Sequence, residues 1–182
     1  MAEHHGHAHG LTADVSVRPS FAEDAPHLGR IQVASWRTGL AGVLPAEVLE
    51  GLDAEQFAAA WGAAIDSPPS AKHRMLTACH GVQIVGFAAL APAPQTQETG
   101  EIVALEVDPE HARAGHGSRL LAACTDLLRA TNASHVRAWA IEGDEARAAF
   151  LSTAGLEPLG IRRVLDVAGS QVNELAFSAV LS

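Results

Sequence analysis

Two carboxylates, Glu101 and Glu106, stand in the apolar run Glu101-Ile-Val-Ala-Leu-Glu106-Val107, and a turn built on Gly115-His116-Gly117-Ser118-Arg119 follows it. The pattern predicts a strand, a glycine-bearing turn and then a helix. A helix N-terminus leaves its first N–H groups without internal partners and its dipole favours negative charge, so such a turn is suited to a phosphate. Gly115 and Gly117 lack a Cβ, which lets backbone approach a ligand closely and visit φ > 0. A carboxylate beside a bound ligand can take a proton, so one segment offers both anion binding and general-base chemistry. On a regular strand Glu101 and Glu106 face opposite sides, and only a bulge would bring both to one face.

Spacing narrows the phosphate ligand. A dinucleotide fingerprint needs G-x-G-x-x-G, and the third position here is Leu120. A P-loop needs G-x-x-x-x-G-K-[ST], and Gly117 is followed by Ser118-Arg119 with no lysine nearby. What remains, Val107-Asp108-Pro109 and then Ala112-Arg113-Ala114-Gly115-His116-Gly117, resembles the V-x-P strand end and [Q/R]-x-x-G-x-[G/A] pyrophosphate loop of the Gcn5-related N-acetyltransferases, the GNAT family. Ala112 departs from the Gln or Arg of that signature. Backbone amides make most of the loop's contacts, so the mechanism survives the departure.

The resemblance implies an α+β fold: a central mixed, mostly antiparallel sheet of six to seven strands, with the fourth and fifth splayed apart and about four helices flanking it. It implies acetyl-CoA as co-substrate, no metal requirement, and transfer to a primary amine of a small molecule or protein N-terminus by direct attack. The pantetheine arm is expected between the splayed strands, paired with backbone at Leu105, Glu106 and Val107, and the Val107 N–H is expected to receive the thioester oxygen. Ala112, Arg113, Ala114, Gly115, His116, Gly117 and Ser118 correspond to the phosphate loop, with Arg113 and Arg119 able to pair with phosphate and His116 contributing its backbone N–H. Glu101 lies fourteen positions before Gly115, the offset that the histone-acetylating branch has between its catalytic glutamate and first loop glycine. It is therefore the first choice of base, with Glu106 second.

The expected general acid is where the chain departs most. Many relatives carry a tyrosine in the pattern N-x-x-A-x-x-F-Y-x-x-x-G-F. The matching run is Asp144-Glu-Ala-Arg147-Ala-Ala-Phe150-Leu151-Ser-Thr-Ala-Gly155-Leu156, with Asp144 at the cofactor-side asparagine and Leu151 at the tyrosine. The chain has no tyrosine at all, so a phenol acid is excluded. A thiolate leaving group with an ordinary thiol pKa of roughly 8.5 can depart unassisted or with water as donor. Ser152 is a neighbouring hydroxyl that could substitute. An acyl-CoA-binding regulatory module that has lost turnover, and a phosphate-binding scaffold unrelated to CoA, stay open as alternatives.

The elements that must position these groups follow from periodicity. Strands are predicted at 14–18, 74–79, 82–91, 101–107, 135–141, 161–167 and 172–181. A helix opens at a Ser20-x-x-Glu23 capping box and runs to about Thr38. One or two more lie within 46–65, and others at 117–130 and 144–153. The glycine-bearing apolar connection from Trp36 to Pro45 reads as a pocket cover, with Trp36 a candidate substrate contact. Trp139 reads as core. Residues 13–182 read as one domain, preceded by a disordered tail, 1–12, carrying His4, His5, His7 and His9. The 182 residues are 48% apolar, with 12 basic and 21 acidic side chains and a net charge of −9. That charge argues against nucleic acid or an anionic membrane as partner and favours a cationic amine. Cys79 and Cys124 read as buried free thiols of a reducing cytoplasm, and a homodimer is compatible with the fold.

Overall fold

A computed structural model describes residues 14–96 and 98–182. The expected His-rich tail lies outside them. Among the described residues seven strands form one sheet: β1 (Val15–Pro19), β2 (Arg74–His80), β3 (Gln83–Pro92), β4 (Thr99–Val107), β5 (His135–Ile141), β6 (Glu157–Val167) and β7 (Ser170–Val180), in the order β1-β2-β3-β4-β5-β7-β6. Five α-helices accompany them: α1 (Ala25–Gly39), α2 (Ala46–Glu50), α3 (Ala54–Asp66), α4 (His116–Ala130) and α5 (Glu145–Thr153). Every strand pair is antiparallel except β4 with β5. The architecture is the α+β arrangement expected.

The parallel pair is short. Only Thr99–Ile102 lies against His135–Ala138. Beyond it β4 stays with β3 and β5 stays with β7, so the two central strands part. A bulge sits at the same point: Ala89 opposes Ala104 but Leu90 opposes Ile102, leaving Val103 without a partner. An extra residue inverts the alternation of side chains beyond it. Glu106, Ala104 and Glu101 oppose Phe87, Ala89 and Ala91, so all three project to one face of the sheet. The opposite-face expectation for the two glutamates therefore fails, through the bulge that would allow it.

Helices cover both faces. Leu120, Leu121, Cys124 and Leu128 of α4 pack at helical spacing on Ala88, Leu105, Val136 and Phe177. On the other face Leu28 and Ile31 of α1 meet Phe87, Ala89 and Ala104, with Trp61 of α3 closing the cluster. A third cluster joins Leu40 and Leu44 of the apolar connection and Val48 and Leu49 of α2 to Ile141 and Val167. The connection thus spans from α1 to the β6–β7 hairpin. Cys79 and Cys124 are free and buried, and burial pushes the Cys124 thiol up to about 12.

One local reading changes. Ser20 does not cap a helix: its hydroxyl lies 2.8 Å from that of Thr77, and the Phe21 N–H donates to Asp24 instead. Asp24 also takes both guanidinium nitrogens of Arg18, at 2.7 and 2.9 Å, which ties β1 to a short 3₁₀ turn, Ala22–Asp24, ahead of α1.

Two helical glycines should respond oppositely to alanine. A Cβ on Gly29 of α1 would lie 2.7 Å from the Ala58 backbone nitrogen and closer still to the Ala54 carbonyl oxygen, neither of which can swing away. A Cβ on Gly62 of α3 meets only the Ala25 methyl, at 3.5 Å. Helix propensity favours alanine by about 1 kcal/mol at both sites, and the clash outweighs it only at the first. Urea unfolding should show Gly29→Ala destabilised by about 1–3 kcal/mol and Gly62→Ala stabilised by about 0.5–1 kcal/mol.

Candidate active site

The parting of β4 from β5 opens a cavity of about 790 Å³, in the size range of small-molecule sites. Ile102 to Val107 of β4 and Ala138, Trp139 and Ile141 of β5 line its sides, and Trp36, Phe57 and Trp61 wall it from the helices. Ala112, Gly117 and Asp144 stand at one end; Arg163, Asp166 and Glu174 of the β6–β7 hairpin line it too.

The β4 backbone along this cavity turns polar groups toward the gap. The Asp108 N–H donates to the Val85 carbonyl at 2.8 Å, which fixes the phase of the antiparallel ladder. Residues facing β3 through their backbone alternate, so Glu106 turns its N–H and C=O to β3 while Leu105 and Val107 turn theirs to the gap. Asp108 itself is buried. Burial works to raise its carboxyl, but hydrogen bonds from Arg30 and the Glu110 N–H, with the Arg30 charge, hold it below the usual carboxylate range. Through that pair α1 braces the end of β4.

Beyond Asp108 the chain makes a 3₁₀ turn, Pro109–His111, and then the glycine loop. Arg113 has φ 61° and Gly115 has φ 82° and ψ 4°. Left-handed Gly115 is followed by His116, the right-handed first residue of α4, and such a pair has the geometry of an anion nest. For Arg113 the left-handed conformation costs about 1–2 kcal/mol, a strain of the kind found at ligand-holding loops. Arg119 reaches back from α4 and donates to the Ala114 carbonyl at 3.0 Å. A Cβ on Gly115 would sit 3.0 Å from that same Arg119 nitrogen. Gly117 differs from expectation: its φ is not positive, and a Cβ there would make ordinary contacts with Phe150 and Val107 at 3.6 and 3.8 Å. Its place needs a small residue because it lines the cavity.

The two glutamates are held differently. Glu106 borders the cavity and accepts hydrogen bonds from Ser35 at 2.7 Å, from Trp36 Nε1 at 3.1 Å and from Arg147 at 3.3 Å. Glu101 is buried and outside the lining, between Arg137 at 3.2 Å and Arg163 at 3.8 Å. Arg163 also binds Glu174 at 2.6 Å and stacks 3.9 Å above the Trp139 ring. Trp139 is thus both core and cavity wall. Trp36 meets the cavity, but its polar edge serves Glu106. Leu105, Val107, Ala112, Gly117 and Asp144 line the cavity; Arg113 and Ala114 of the loop and Ser118 in the first turn of α4 are exposed outside it, and His116 turns its ring inward. Asp144 accepts from the Arg147 N–H and so caps α5. Leu151, at the tyrosine position, is in the core and touches the cavity, whereas Ser152 is exposed away from it. Arg147 and Arg163 were not anticipated from sequence. The only signal was Arg147 standing where the pattern quoted above has alanine.

A sheet that splays between β4 and β5, with a phosphate-type loop at the head of the gap, defines the acetyltransferase fold class. Residues 36–155 match the model of the Acetyltransferase (GNAT) family, and the chain belongs to that family. It is 29% identical over 130 residues to the Bacillus subtilis protein named uncharacterized N-acetyltransferase YuaI, covering 70% of this chain and 72% of that one. A GCN5-related N-acetyltransferase of Rhodopseudomonas palustris superposes with a TM-score of 0.76 at 23% identity, over 95% of this chain and 99% of the other. The PaiA N-acetyltransferase of Thermoplasma acidophilum, solved with coenzyme A, superposes at 0.70 with 20% identity, over 88% and 97%. Among the described residues no cluster of three or more His, Cys, Asp or Glu is placed to hold a metal ion, and no helix is long and apolar enough to cross a membrane.

His116 links the loop to pH. Its ring is buried with centroids 6.0 Å from His80 and 6.4 Å from His111, and its Nε2 has no partner. Burial, then the nearby charges of Arg119, His80 and His111, hold it below the ordinary imidazole value of 6.5. A base whose folded pKa is depressed binds fewer protons folded than unfolded, so stability is lost as pH falls below about 6.5. Urea unfolding at pH 7, 6 and 5 should show a decline that His116→Leu makes shallower; parallel slopes for the two proteins would reject this role.

Proposed function

We propose that the protein transfers an acetyl group from acetyl-CoA to a primary amine, of a small molecule or a protein N-terminus, by direct attack in a ternary complex. One observation carries this reading: a single cavity joins the glycine loop to a gap-facing stretch of β4 backbone and then to a carboxylate. These residues suit acetyl-CoA. The N–H groups of the loop from Ala114 to Gly117 would hold the pyrophosphate, helped by the N-terminus of α4. Leu105 and Val107 would pair with the pantetheine amides as another strand would. The Val107 N–H would then stabilise negative charge on the acyl oxygen as the amine attacks. Acetyl-CoA supplies the activated acyl group and a leaving thiolate.

Glu106 suits the base better than Glu101 does. It borders the cavity, and Ser35 and Trp36 orient it with neutral donors. Glu101 lies behind the wall with its charge satisfied by two arginines, one of which, Arg163, continues to Glu174 in the cavity. That network suits Glu101 to a supporting role at the acceptor end. With Leu151 in the core and no tyrosine in the chain, the thiolate leaves without a phenol donor. The acceptor enters beside Trp36, Phe57 and Glu174, an aromatic and acidic surrounding that suits a cation.

A cytoplasmic location fits the free thiols Cys79 and Cys124 and the use of acetyl-CoA. A regulatory module is the competing reading, kept by the full set of donors already on Glu106. Calorimetry with a broad amine panel separates them: micromolar acetyl-CoA binding without acetylation of any amine would favour the module. Absence of binding would remove both.

Four substitutions test the roles. Glu106→Gln should lower kcat by about 10²–10⁴ while leaving acetyl-CoA affinity nearly unchanged, and it should flatten the acidic limb of the rate profile. Glu101→Gln should act mainly on the KM of the acceptor; the reverse ranking of kcat losses would return the base to Glu101. Gly117→Ala should bind acetyl-CoA nearly normally, whereas Gly117→Leu should lose binding because its side chain would fill the head of the cavity.

A further inference from the structure

Arg147 lies across the gap between the splayed strands. From α5 its Nη1 donates to the Leu105 carbonyl at 2.6 Å, and its Nη2 reaches Glu106 Oε1 at 3.3 Å. Leu105 is one of the two residues whose backbone faces the gap. The carbonyl that a pantetheine amide would need is therefore already bonded, by a charged group, in the free protein. The same guanidinium holds the carboxylate best placed to be the base. Helix α5 is anchored by Leu151 and capped by Asp144, so the long side chain can leave without moving the helix.

We propose that Arg147 is a latch: it closes the pantetheine slot in the free protein and is displaced by the arm of an incoming acyl-CoA. This rests on the function proposed above. The exchange replaces one donor to the Leu105 carbonyl, the guanidinium N–H, by another, an amide N–H of the arm. Glu106 keeps the neutral donors Ser35 and Trp36 but loses the contact with a cation, so it becomes a freer proton acceptor only once the thioester is in place. Arg147 acts through Leu105 and Glu106 and is a positioning residue. Its cost appears as reduced apparent affinity, because only the unlatched fraction can bind.

Calorimetric titration of acetyl-CoA and of adenosine 3′,5′-bisphosphate, which lacks the pantetheine arm, into the wild type and Arg147→Met tests this. The variant should bind acetyl-CoA about tenfold tighter, the factor one charge-assisted hydrogen bond is worth, and the bisphosphate within about twofold of wild type. Its KM for acetyl-CoA should fall by a similar factor while kcat changes less. Arg147→Lys, a point charge that cannot fork to both acceptors, should fall between the two. Unchanged or weaker acetyl-CoA binding would overturn the latch, and so would an equal change for both ligands, which would place Arg147 on the phosphate loop. If Arg147→Met does not fold, Arg147→Gln carries the same expectations. Failure of the wild type to bind acetyl-CoA would instead reject the proposed function itself.

Discussion

The rest of the site depends on a stretch of β4 backbone that is left unpaired on one side in the middle of a sheet. Buried N–H and C=O groups must find partners, and in a continuous sheet the next strand supplies them. Here β5 runs beside β4 for only four residue pairs, Thr99 to Ile102 with His135 to Ala138, and then leaves with β7. An inner strand with a free edge is rare because it invites another strand. The fold turns that liability into a slot that an extended chain with amide groups would fit. Arg147 satisfies part of the edge in the free protein, which is the reason a guanidinium is found there.

The bulge at Val103 does a second task at the same place. By advancing the register one residue, it puts Glu101 and Glu106 on the face covered by α1, where the cavity lies. Each carboxylate then has its own charge partners: Glu101 joins Arg137 and, through Arg163, Glu174, while Glu106 pairs with Arg147. Buried ion pairs contribute little net stability because desolvation offsets their attraction. Their presence here is better explained by position: each arginine aims a carboxylate, and removing one partner would leave the other charged and poorly solvated.

At the head of the slot, strain and electrostatics favour the same ligand. Arg113 and Gly115 both have positive φ, the strain of a tight ligand-holding loop, and the α4 dipole at the same place favours an anion. Arg119 is bonded to the loop's own carbonyl, so its charge supports the nest from behind. His116, buried at the first residue of the same helix, brings an imidazole into the loop's support and makes that support sensitive to acid.

The loop, the order of elements and the apolar face of α4 were legible in the sequence because each is local. The glycine spacing, the V-x-P strand end and the repeat of Leu120, Leu121, Cys124 and Leu128 depend on neighbours within a few turns of chain. The exclusion of a phenol acid needed only composition. Which glutamate borders the cavity could not be read, because it depends on a one-residue bulge set by how β4 lies on β3. The partners of those glutamates were equally hidden: Trp36, Arg137, Arg147 and Arg163 come from four separate elements. The sequence by itself determined a glycine loop suited to phosphate; tertiary structure decided where the β4 edge is left open, which part of it Arg147 covers and which carboxylate borders the cavity, since these depend on contacts between residues far apart in the chain.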